Sequence, residues 1–224
     1  MTKSLIFLGS NSNIVLFAET AEHMGITVHG ILDNDYFGNT ESVCNIPIIG
    51  SEDSFNFNSE EYIYFVGPSV VPINVRDRQK RIKMIELIER LNLPLATLIN
   101  RQCEIGKTAK IHSGAYIGYG VCIGHSCEVM PHTQLHTYAM MGHHSKLGKN
   151  SVIERAAFIA SHTNVGENVH IGFNASLFQN GSLTVGDNSV VHPCVTVMRD
   201  VDVNEVVMIG GDNNRRIYGR VVKI

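Results

Sequence analysis

The sequence predicts an α/β domain in roughly the first hundred residues and a parallel β-helix in the remainder, on two observations. Near the start, an apolar strand at Ser4–Leu8 is followed by a turn, a helical segment and a second strand, which is the opening of a parallel α/β sheet. Further on, an apolar residue recurs at every sixth position from Ile105 to Leu177. That period is too short for a helical repeat and favours a solenoid in which each hexad is one short strand and one tight corner. We therefore predict two domains, 1–100 and 101–224.

The first domain alternates strands with helices. Its predicted strands are Ser4–Leu8, Thr27–Leu32 and Tyr62–Val66, and its predicted helices are Ile14–Met24 and Asp77–Leu91. In the second helix, apolar residues recur at helical spacing, at Ile82, Ile85, Ile88 and Leu91. The segment Leu95–Ile99 then leads into the repeat.

The hexads share more than their apolar position. Four places after it stands a small or β-branched residue, such as Ala139 or Ser145, and the place directly after it is often glycine. The apolar side chain is expected to fill the interior, while glycine relieves crowding at the corner. Three such sides make a coil of about 18 residues. The register later shifts by two, so we expect a loop near Ser182–Thr184, and we expect the tail Asn204–Ile224 to cap the open end.

Composition narrows the class of protein. Hydrophobic residues make up 44% of the chain and charged residues 17%, as in a globular protein with a core. The net charge of −3 gives no broad basic surface, so a nucleic-acid partner is not expected. The five cysteines include no C-x-x-C pair, which argues against a disulfide framework or a zinc ribbon and favours a reducing cytoplasm. No apolar segment is long enough to predict a signal sequence or a membrane span.

Histidine is concentrated in the repeat, which holds nine of the eleven in the chain. Because side chains 18 residues apart stack in neighbouring coils, His125 should lie against His143 and His144 against His162. Each histidine by itself is as readily a solvated surface residue, but the cluster favours proton transfer, for which imidazole is suited near neutral pH.

Metal binding is the competing use of such a cluster. In the γ-class carbonic anhydrases, β-helices hold zinc with three histidines shared across a trimer interface. Their pattern pairs one histidine with two others that lie two coils away and five residues apart. Here the position two coils beyond His125 is Ser161, and no two histidines are five apart. We therefore expect no metal.

Three segments carry a resemblance to a known family: H-G-I-L-D-N-D at 29–35, L-I-N at 98–100, and the stretch 136–148. From about residue 4 to 217, the chain resembles the bacterial sugar acetyltransferases related to sialic-acid O-acetyltransferases and to N-acetyltransferases of nucleotide-linked amino sugars. In the family, the third segment reads Asn-Thr-Gly-Ala, three further residues, then His followed by Asp or Glu. Here it reads His136-Thr-Tyr-Ala139, three residues, then His143-His144. The resemblance implies a Rossmann-like N-terminal domain, a left-handed β-helix and a homotrimer.

The resemblance also implies catalytic roles. His143 takes the place of the general base, and His144 stands beside it where the family has an acid. The backbone N–H near Ser161 takes the place of the donor to the thioester oxygen. His136 stands where the family has asparagine and is assigned to the substrate. An acid that orients the base would have to come from elsewhere, and Glu154 is one candidate.

The same resemblance assigns the ligands. The nucleotide sugar is expected on the N-terminal domain, with candidate contacts at Ser10, Asn11, Asn13, Asp33 and Asp35. From spacing alone, the turn is as readily a plain strand-to-helix turn with Asn or Ser as N-cap, and the two acids are as readily solvated. Acetyl-CoA is expected in the groove between neighbouring β-helices. Its candidate contacts are Ser161, His162, Gly172, Phe173, Arg215 and Arg216, although the tail lacks the Gly-Val-Pro-Ala-Lys common in relatives.

The predicted function is acetyl transfer from acetyl-CoA to an amino group of a nucleotide-linked deoxyamino sugar, in the synthesis of bacterial surface glycans such as the lipopolysaccharide O-antigen. One alternative keeps the fold but acetylates a sugar hydroxyl, as on sialic acid. Another is a nucleotide-sugar-binding relative without catalysis, which the altered neighbour of His143 suggests. The only expected partners are the two substrates and further copies of the chain.

Overall fold

A computed structural model describes residues 3–67, 75–210 and 217–223 of the protein. The chain divides into two compact units, Met1–Arg101 and Gln102–Ile224. Among the described residues, the two helices are too short or too polar for either to cross a bilayer.

The first unit is built around a five-stranded sheet. In chain order its elements are β1 (Ser4–Leu8), α1 (Ile14–His23), β2 (Val28–Leu32), β3 (Ser42–Val43), β4 (Ile46–Gly50), β5 (Tyr62–Val66), α2 (Val75–Arg90) and β6 (Leu98–Ile99). The sheet order is β3-β4-β2-β1-β5. The pairs β1–β2, β1–β5 and β2–β4 are parallel, whereas β3 and β4 are antiparallel.

The central strand β1 is buried on both faces. Leu5, Ile6, Phe7 and Leu8 are all fully enclosed, which is typical of a parallel strand covered on both sides. On one side, Ile6 and Leu8 pack in a cluster with Ile85 and Ile88 of α2. Of the four positions predicted to face the core, Ile85 and Ile88 are buried against the sheet, whereas Leu91 lies beyond the end of the helix and is 43% exposed.

The sequence did not indicate the short hairpin β3–β4. Its turn residues, Cys44 and Asn45, both have positive φ, at 51° and 65°. A pair of positive-φ residues suits a tight two-residue hairpin turn, but the usual signal for it is Asn-Gly or Asp-Gly. Since Cys-Asn carries little of that signal, the turn escaped prediction.

The second unit is a parallel β-solenoid of the left-handed β-helix type. Its strands are β7 (Glu104–Ile105), β8 (Lys110–Ile111), β9 (Tyr116–Ile117), β10 (Cys122–Ile123), β11 (Glu128–Val129), β12 (Gln134–Leu135), β13 (Met140–Met141), β14 (Lys146–Leu147), β15 (Val152–Ile153), β16 (Phe158–Ile159), β17 (Thr163–Val165), β18 (His170–Ile171), β19 (Ser176–Leu177), β20 (Leu183–Val185), β21 (Val190–Val191), β22 (Thr196–Val197), β23 (Glu205–Gly210) and β24 (Ile217–Lys223).

These strands form three flat sides. One side has the order β22-β19-β16-β13-β10-β7, a second has β20-β17-β14-β11-β8, and the third includes β24-β23-β21-β18-β15-β12-β9. From β7 to β23, each strand pairs in parallel with the strand one coil away, so that Met141 lies opposite both Ile123 and Ile159. These repeat residues are buried in the interior, and the predicted six-residue period is thereby confirmed as three strands per coil.

The register shift falls slightly earlier in the chain than predicted. We expected a loop or bulge near Ser182–Thr184; Ser182 does belong to the loop, but Leu183–Val185 is the strand β20, which pairs with Thr163–Val165 of β17. The extra residues lie just before it, in the corner 178–182. Leu183 is buried and is therefore held in the strand, so the two extra residues are accommodated in the mostly polar segment that precedes it.

The tail begins by continuing the coil. In β23, Val206 and Val207 pair in parallel with Val190 and Val191, so this strand still belongs to the stack. The following β24 then pairs with β23 in the antiparallel direction, covering its free edge.

Candidate active site

The four histidines singled out by the sequence lie together at one corner of the solenoid. This corner follows β10, β13 and β16 and precedes β11, β14 and β17, so each coil contributes its own residues to it. We call the set His125, His143, His144 and His162 the histidine corner. All four side chains are exposed.

The four rings form two stacked pairs. His125 and His143 are parallel within 1°, with centroids 5.0 Å apart, and His144 and His162 are within 9° at 5.2 Å. The predicted stacking of residues 18 apart is therefore confirmed. Across the pairs the rings are perpendicular, and the His143 centroid lies 5.2 Å from those of both His144 and His162. His143 thus contacts every other ring of the corner.

Backbone geometry sets this arrangement. His144 and His162 adopt the left-handed conformation, with φ of 56° and 60°. That conformation costs a residue with a side chain about 1–2 kcal/mol, so the fold must hold it in place. Hydrogen bonds between coils do so, because the His144 N–H donates to the His125 carbonyl at 3.1 Å and the His162 N–H to that of His143 at 3.0 Å.

Small polar residues beneath the rings tie the coils together. The Cys127 thiol donates to the Gly142 carbonyl at 3.0 Å, and the Ser145 hydroxyl donates to the Ala160 carbonyl at the same distance. Gly142 is required here, since a Cβ at that position would lie 2.4 Å from the backbone nitrogen of Ser161. The corner is consequently a rigid support for the exposed rings.

Ser161 stands one coil beyond His143 in the same column. Its side chain is partly exposed, and its backbone N–H has no hydrogen-bond acceptor among the described residues. An N–H in this position can donate to a ligand oxygen. The structure therefore places the predicted oxyanion donor beside the predicted base.

The electrostatics of the corner favour a neutral His143. Partial desolvation lowers the pKa of His143, and positive charge on His125, His144 and His162 lowers it further. A neutral imidazole keeps a lone pair that can accept a proton. The neighbouring imidazoles thus lower the pKa of His143, whereas an acid at position 144, as in the family pattern, would raise it.

Glu154 does not join the histidine corner of the same chain. It follows β15, at the corner where His136 follows β12 and where Gly172 and Phe173 follow β18. Burial raises the pKa of the Glu154 carboxyl. His136 is buried against Tyr116, with ring centroids 5.6 Å apart, whereas Phe173 is exposed. Several predicted ligand contacts therefore share a second corner rather than the first.

Two predicted contacts, Arg215 and Arg216, lie outside the described residues.

In the first unit, the predicted ligand contacts that follow β1 and β2 lie close together. Asp33 is fully buried, and its Oδ2 accepts hydrogen bonds from the backbone N–H and the hydroxyl of Ser10, both at 2.9 Å. Its Oδ1 accepts from the Asp35 N–H at 3.0 Å and from Lys80 Nζ at 2.9 Å. The carboxylate predicted to bind a ligand is thus occupied by its own chain, where it holds the turn after β1.

Lys80 was missed by the sequence analysis. Its Nζ lies 2.9 Å from Asp33 and 3.0 Å from Asp35. Desolvation alone would lower the Lys80 pKa, but the hydrogen bonds to these carboxylates outweigh it, and the pKa lies above its ordinary value. No local pattern links α2 to the end of β2, so the pairing appears only in three dimensions.

The turn itself is an Asx turn. The Asn11 side-chain oxygen accepts the Asn13 N–H at 2.8 Å. Asn13 occupies the N-cap position of α1, but its side chain makes no capping hydrogen bond. Asn13 is therefore the N-cap residue, as the plain strand-to-helix interpretation predicts, but its side chain does not cap the helix.

A cavity of 370 Å³ opens beside this network, lined by residues of one unit only. Its lining is Asn34, Glu52, Asp53, Lys80, Lys83, Met84, Glu86, Leu87 and Arg90. Glu52 is buried, its Oε2 accepts the Asn34 N–H at 2.5 Å, and desolvation raises its pKa above the ordinary value. No pattern in the sequence indicated Glu52.

Comparison with known proteins shows a likeness in structure. No protein-family model and no curated protein matches the chain. The acetyltransferase domain of PglB from Neisseria gonorrhoeae FA1090 has a TM-score of 0.81 at 20% identity, over 92% of this chain and 96% of that one. A variant of GDP-perosamine N-acetyltransferase from Caulobacter crescentus, in complex with CoA and GDP-perosamine, has a TM-score of 0.82 at 20% identity, over 95% and 99%.

A third structure, WeeI from Acinetobacter baumannii AYE, has a TM-score of 0.81 at 14% identity, over 99% of this chain and 100% of that one. Each likeness spans nearly the whole of both chains. At this level of identity, it shows that the chain shares the fold of these proteins.

Proposed function

We propose that the protein transfers the acetyl group of acetyl-CoA to an amino group on a nucleotide-linked deoxyamino sugar, in the cytoplasm, for bacterial surface glycans. The observation that carries the proposal is the exposed histidine corner on a solenoid whose fold is shared, over nearly the whole chain, with an acetyltransferase domain and with a GDP-perosamine N-acetyltransferase. Amine acetylation is favoured over hydroxyl acetylation because the Caulobacter crescentus relative is an N-acetyltransferase bound to GDP-perosamine.

In this proposal His143 is the general base. The acceptor nitrogen attacks the thioester carbonyl, a C–N bond forms, and His143 takes one proton from the nitrogen. The Ser161 N–H donates to the oxygen that becomes negative. The C–S bond then breaks, and the proton held by His143 passes to the departing sulfur, which yields free coenzyme A. The reaction is balanced without any further reactant.

The first unit is proposed to hold the nucleotide sugar in a Rossmann-like manner. The cavity beside the end of β2 is lined by three cations, Lys80, Lys83 and Arg90, and by three acids, Glu52, Asp53 and Glu86. The cations suit the phosphates of a nucleotide sugar, and the acids suit its hydroxyl and amino groups. Asp35 is exposed and is the better candidate for a ligand contact than the buried Asp33.

Thiol release tests the proposal directly. The protein is mixed with acetyl-CoA and one acceptor, and free coenzyme A is measured with a thiol reagent. We expect release with GDP-perosamine as the amine acceptor and none with sialic acid as the hydroxyl acceptor. Release with sialic acid alone would favour O-acetylation. Binding of the sugar nucleotides without release from any acceptor would favour the non-catalytic alternative.

A homotrimer is proposed as the working form, with acetyl-CoA between neighbouring solenoids. One side of the solenoid supports it, because Met140 and Phe158 lie opposite each other on β13 and β16 and are 47% and 37% exposed. Adjacent exposed apolar side chains on a flat surface are typical of a protein interface.

Phe158→Glu should therefore dissociate the trimer. A charge placed in a buried apolar contact weakens association by about tenfold or more. The matched control is Asn164→Glu, because Asn164 is also exposed and also directly precedes an interior residue, but on another side of the solenoid. Light scattering should give three times the chain mass of 24.7 kDa for the wild type and the control, and less for Phe158→Glu. A monomeric wild type would contradict the trimer.

A further inference from the structure

We propose that the histidine corner binds a divalent transition-metal ion of the Zn²⁺ class, with His125, His143 and His144 as ligands from a single chain. One ring nitrogen from each of these three residues lies within 4.8 Å of the corresponding nitrogens of the other two. His162 contacts two of them, with its ring centroid 5.2 Å from those of His143 and His144.

Little movement separates this arrangement from a coordination sphere. A tetrahedral zinc ion with Zn–N bonds of about 2.0–2.1 Å places its ligand nitrogens roughly 3.3 Å apart. The three rings therefore need to approach by about 1–2 Å. All three are exposed, so the neighbours that their rotation has to move are the other imidazole rings of the corner. The backbones that carry them are already fixed by the hydrogen bonds between coils.

The donor set selects the kind of ion. Neutral imidazole suits Zn²⁺, Ni²⁺ and Cu²⁺, whereas Mg²⁺ and Ca²⁺ require oxygen ligands. Among the described residues, the cluster contains histidine only and no carboxylate. A three-histidine site on an open corner also leaves a coordination position free for water or another small ligand.

This site differs from the zinc arrangement weighed from the sequence. There, the ligands come from a histidine and a pair five residues apart, and they are shared between chains. Here, two ligands are consecutive and the third is one coil away, so a single solenoid supplies them all. The spacing rule that excluded one metal site does not exclude this one.

The inference does not require acetyl transfer, but it has a consequence for that reaction. A bound metal would occupy the His143 lone pair that accepts a proton, so the two uses of His143 are mutually exclusive. Metal binding is measured without acetyl-CoA or sugar, and the failure of either proposal is therefore seen separately.

Titration of tag-free, metal-free full-length protein with Zn²⁺ tests the site. Calorimetry should show one ion per chain, and Co²⁺ should give the visible absorption of a tetrahedral site. We expect His125→Ala and His144→Ala each to weaken Zn²⁺ binding by at least tenfold. The matched control is His192→Ala, because His192 also belongs to the solenoid but follows β21 at another corner, and its affinity should equal that of the wild type.

Two results would overturn the site. One is wild-type protein that takes up no Zn²⁺ at millimolar concentration. The other is unchanged affinity in the double variant His125→Ala/His144→Ala, with circular dichroism showing that the solenoid has folded. An equal loss in His192→Ala would also contradict it, because the ion would then be bound by scattered surface histidines.

Discussion

His143→Ala should lower kcat/KM for acetyl transfer by about a hundred- to ten-thousand-fold, the usual contribution of a general base. The variant removes the imidazole that contacts all three other rings of the corner and stands one coil from Ser161. Because His143 is exposed and carries no structural hydrogen bond by its ring among the described residues, folding should be unaffected. Thiol release with acetyl-CoA and GDP-perosamine gives the rate, and circular dichroism checks the fold.

His192→Ala is the control for this prediction, because it removes an imidazole from a different corner of the same solenoid. It should retain wild-type kcat, because His192 shares its corner with the candidate acetyl-CoA contacts Gly172 and Phe173 and not with the proposed base. If His143→Ala kept more than about a third of the wild-type value, far above the loss expected for a missing base, proton transfer by His143 would be excluded. His125→Ala and His144→Ala would then show whether another ring of the corner is the base.

The solenoid was predictable because its contacts repeat. Each coil touches only the coils next to it, so one spacing in the sequence defines every neighbour. From that spacing alone, His143 could be placed against His125, and the rings are indeed stacked within 1°. The direction of winding could not be obtained in this way and came from the family resemblance.

The position of the register shift was harder to predict, and the reason is physical. Two extra residues can be absorbed at any point between two buried positions, and the sequence alone does not say where. The structure keeps Leu183 buried in β20 and places the extra residues in the exposed corner 178–182. Burial of one apolar residue decides the outcome.

The turn after β1 was predictable only in part. Ser10 and Asp33 could be placed near each other because both follow neighbouring parallel strands. Lys80, however, is 47 residues from Asp33 in the chain, and no sequence motif links the two positions. Its contact changes the interpretation of Asp33 from a ligand contact to the centre of an internal network.

Asp33→Ala should lower the free energy of unfolding of the first unit by about 2–4 kcal/mol. Three N–H or O–H donors and an ammonium group lose a buried acceptor at once. The donors are the backbone N–H and the hydroxyl of Ser10, the Asp35 N–H and Lys80 Nζ. Hydrogen–deuterium exchange of peptides from β1 and β2 measures this locally. Since about 1.4 kcal/mol is a tenfold change, exchange should become roughly 30- to 1,000-fold faster.

Asp35→Ala is the matched control, since Asp35 shares the same Lys80 but its side chain is 59% exposed. An exposed ion pair contributes about 0–1 kcal/mol, so exchange in β1 and β2 should change by less than about fivefold. Equal effects of the two variants would show that Lys80 pairing, rather than burial of Asp33, holds the turn. A larger effect of Asp35→Ala on KM for the sugar nucleotide than on exchange would assign the exposed acid to the ligand and the buried one to the fold.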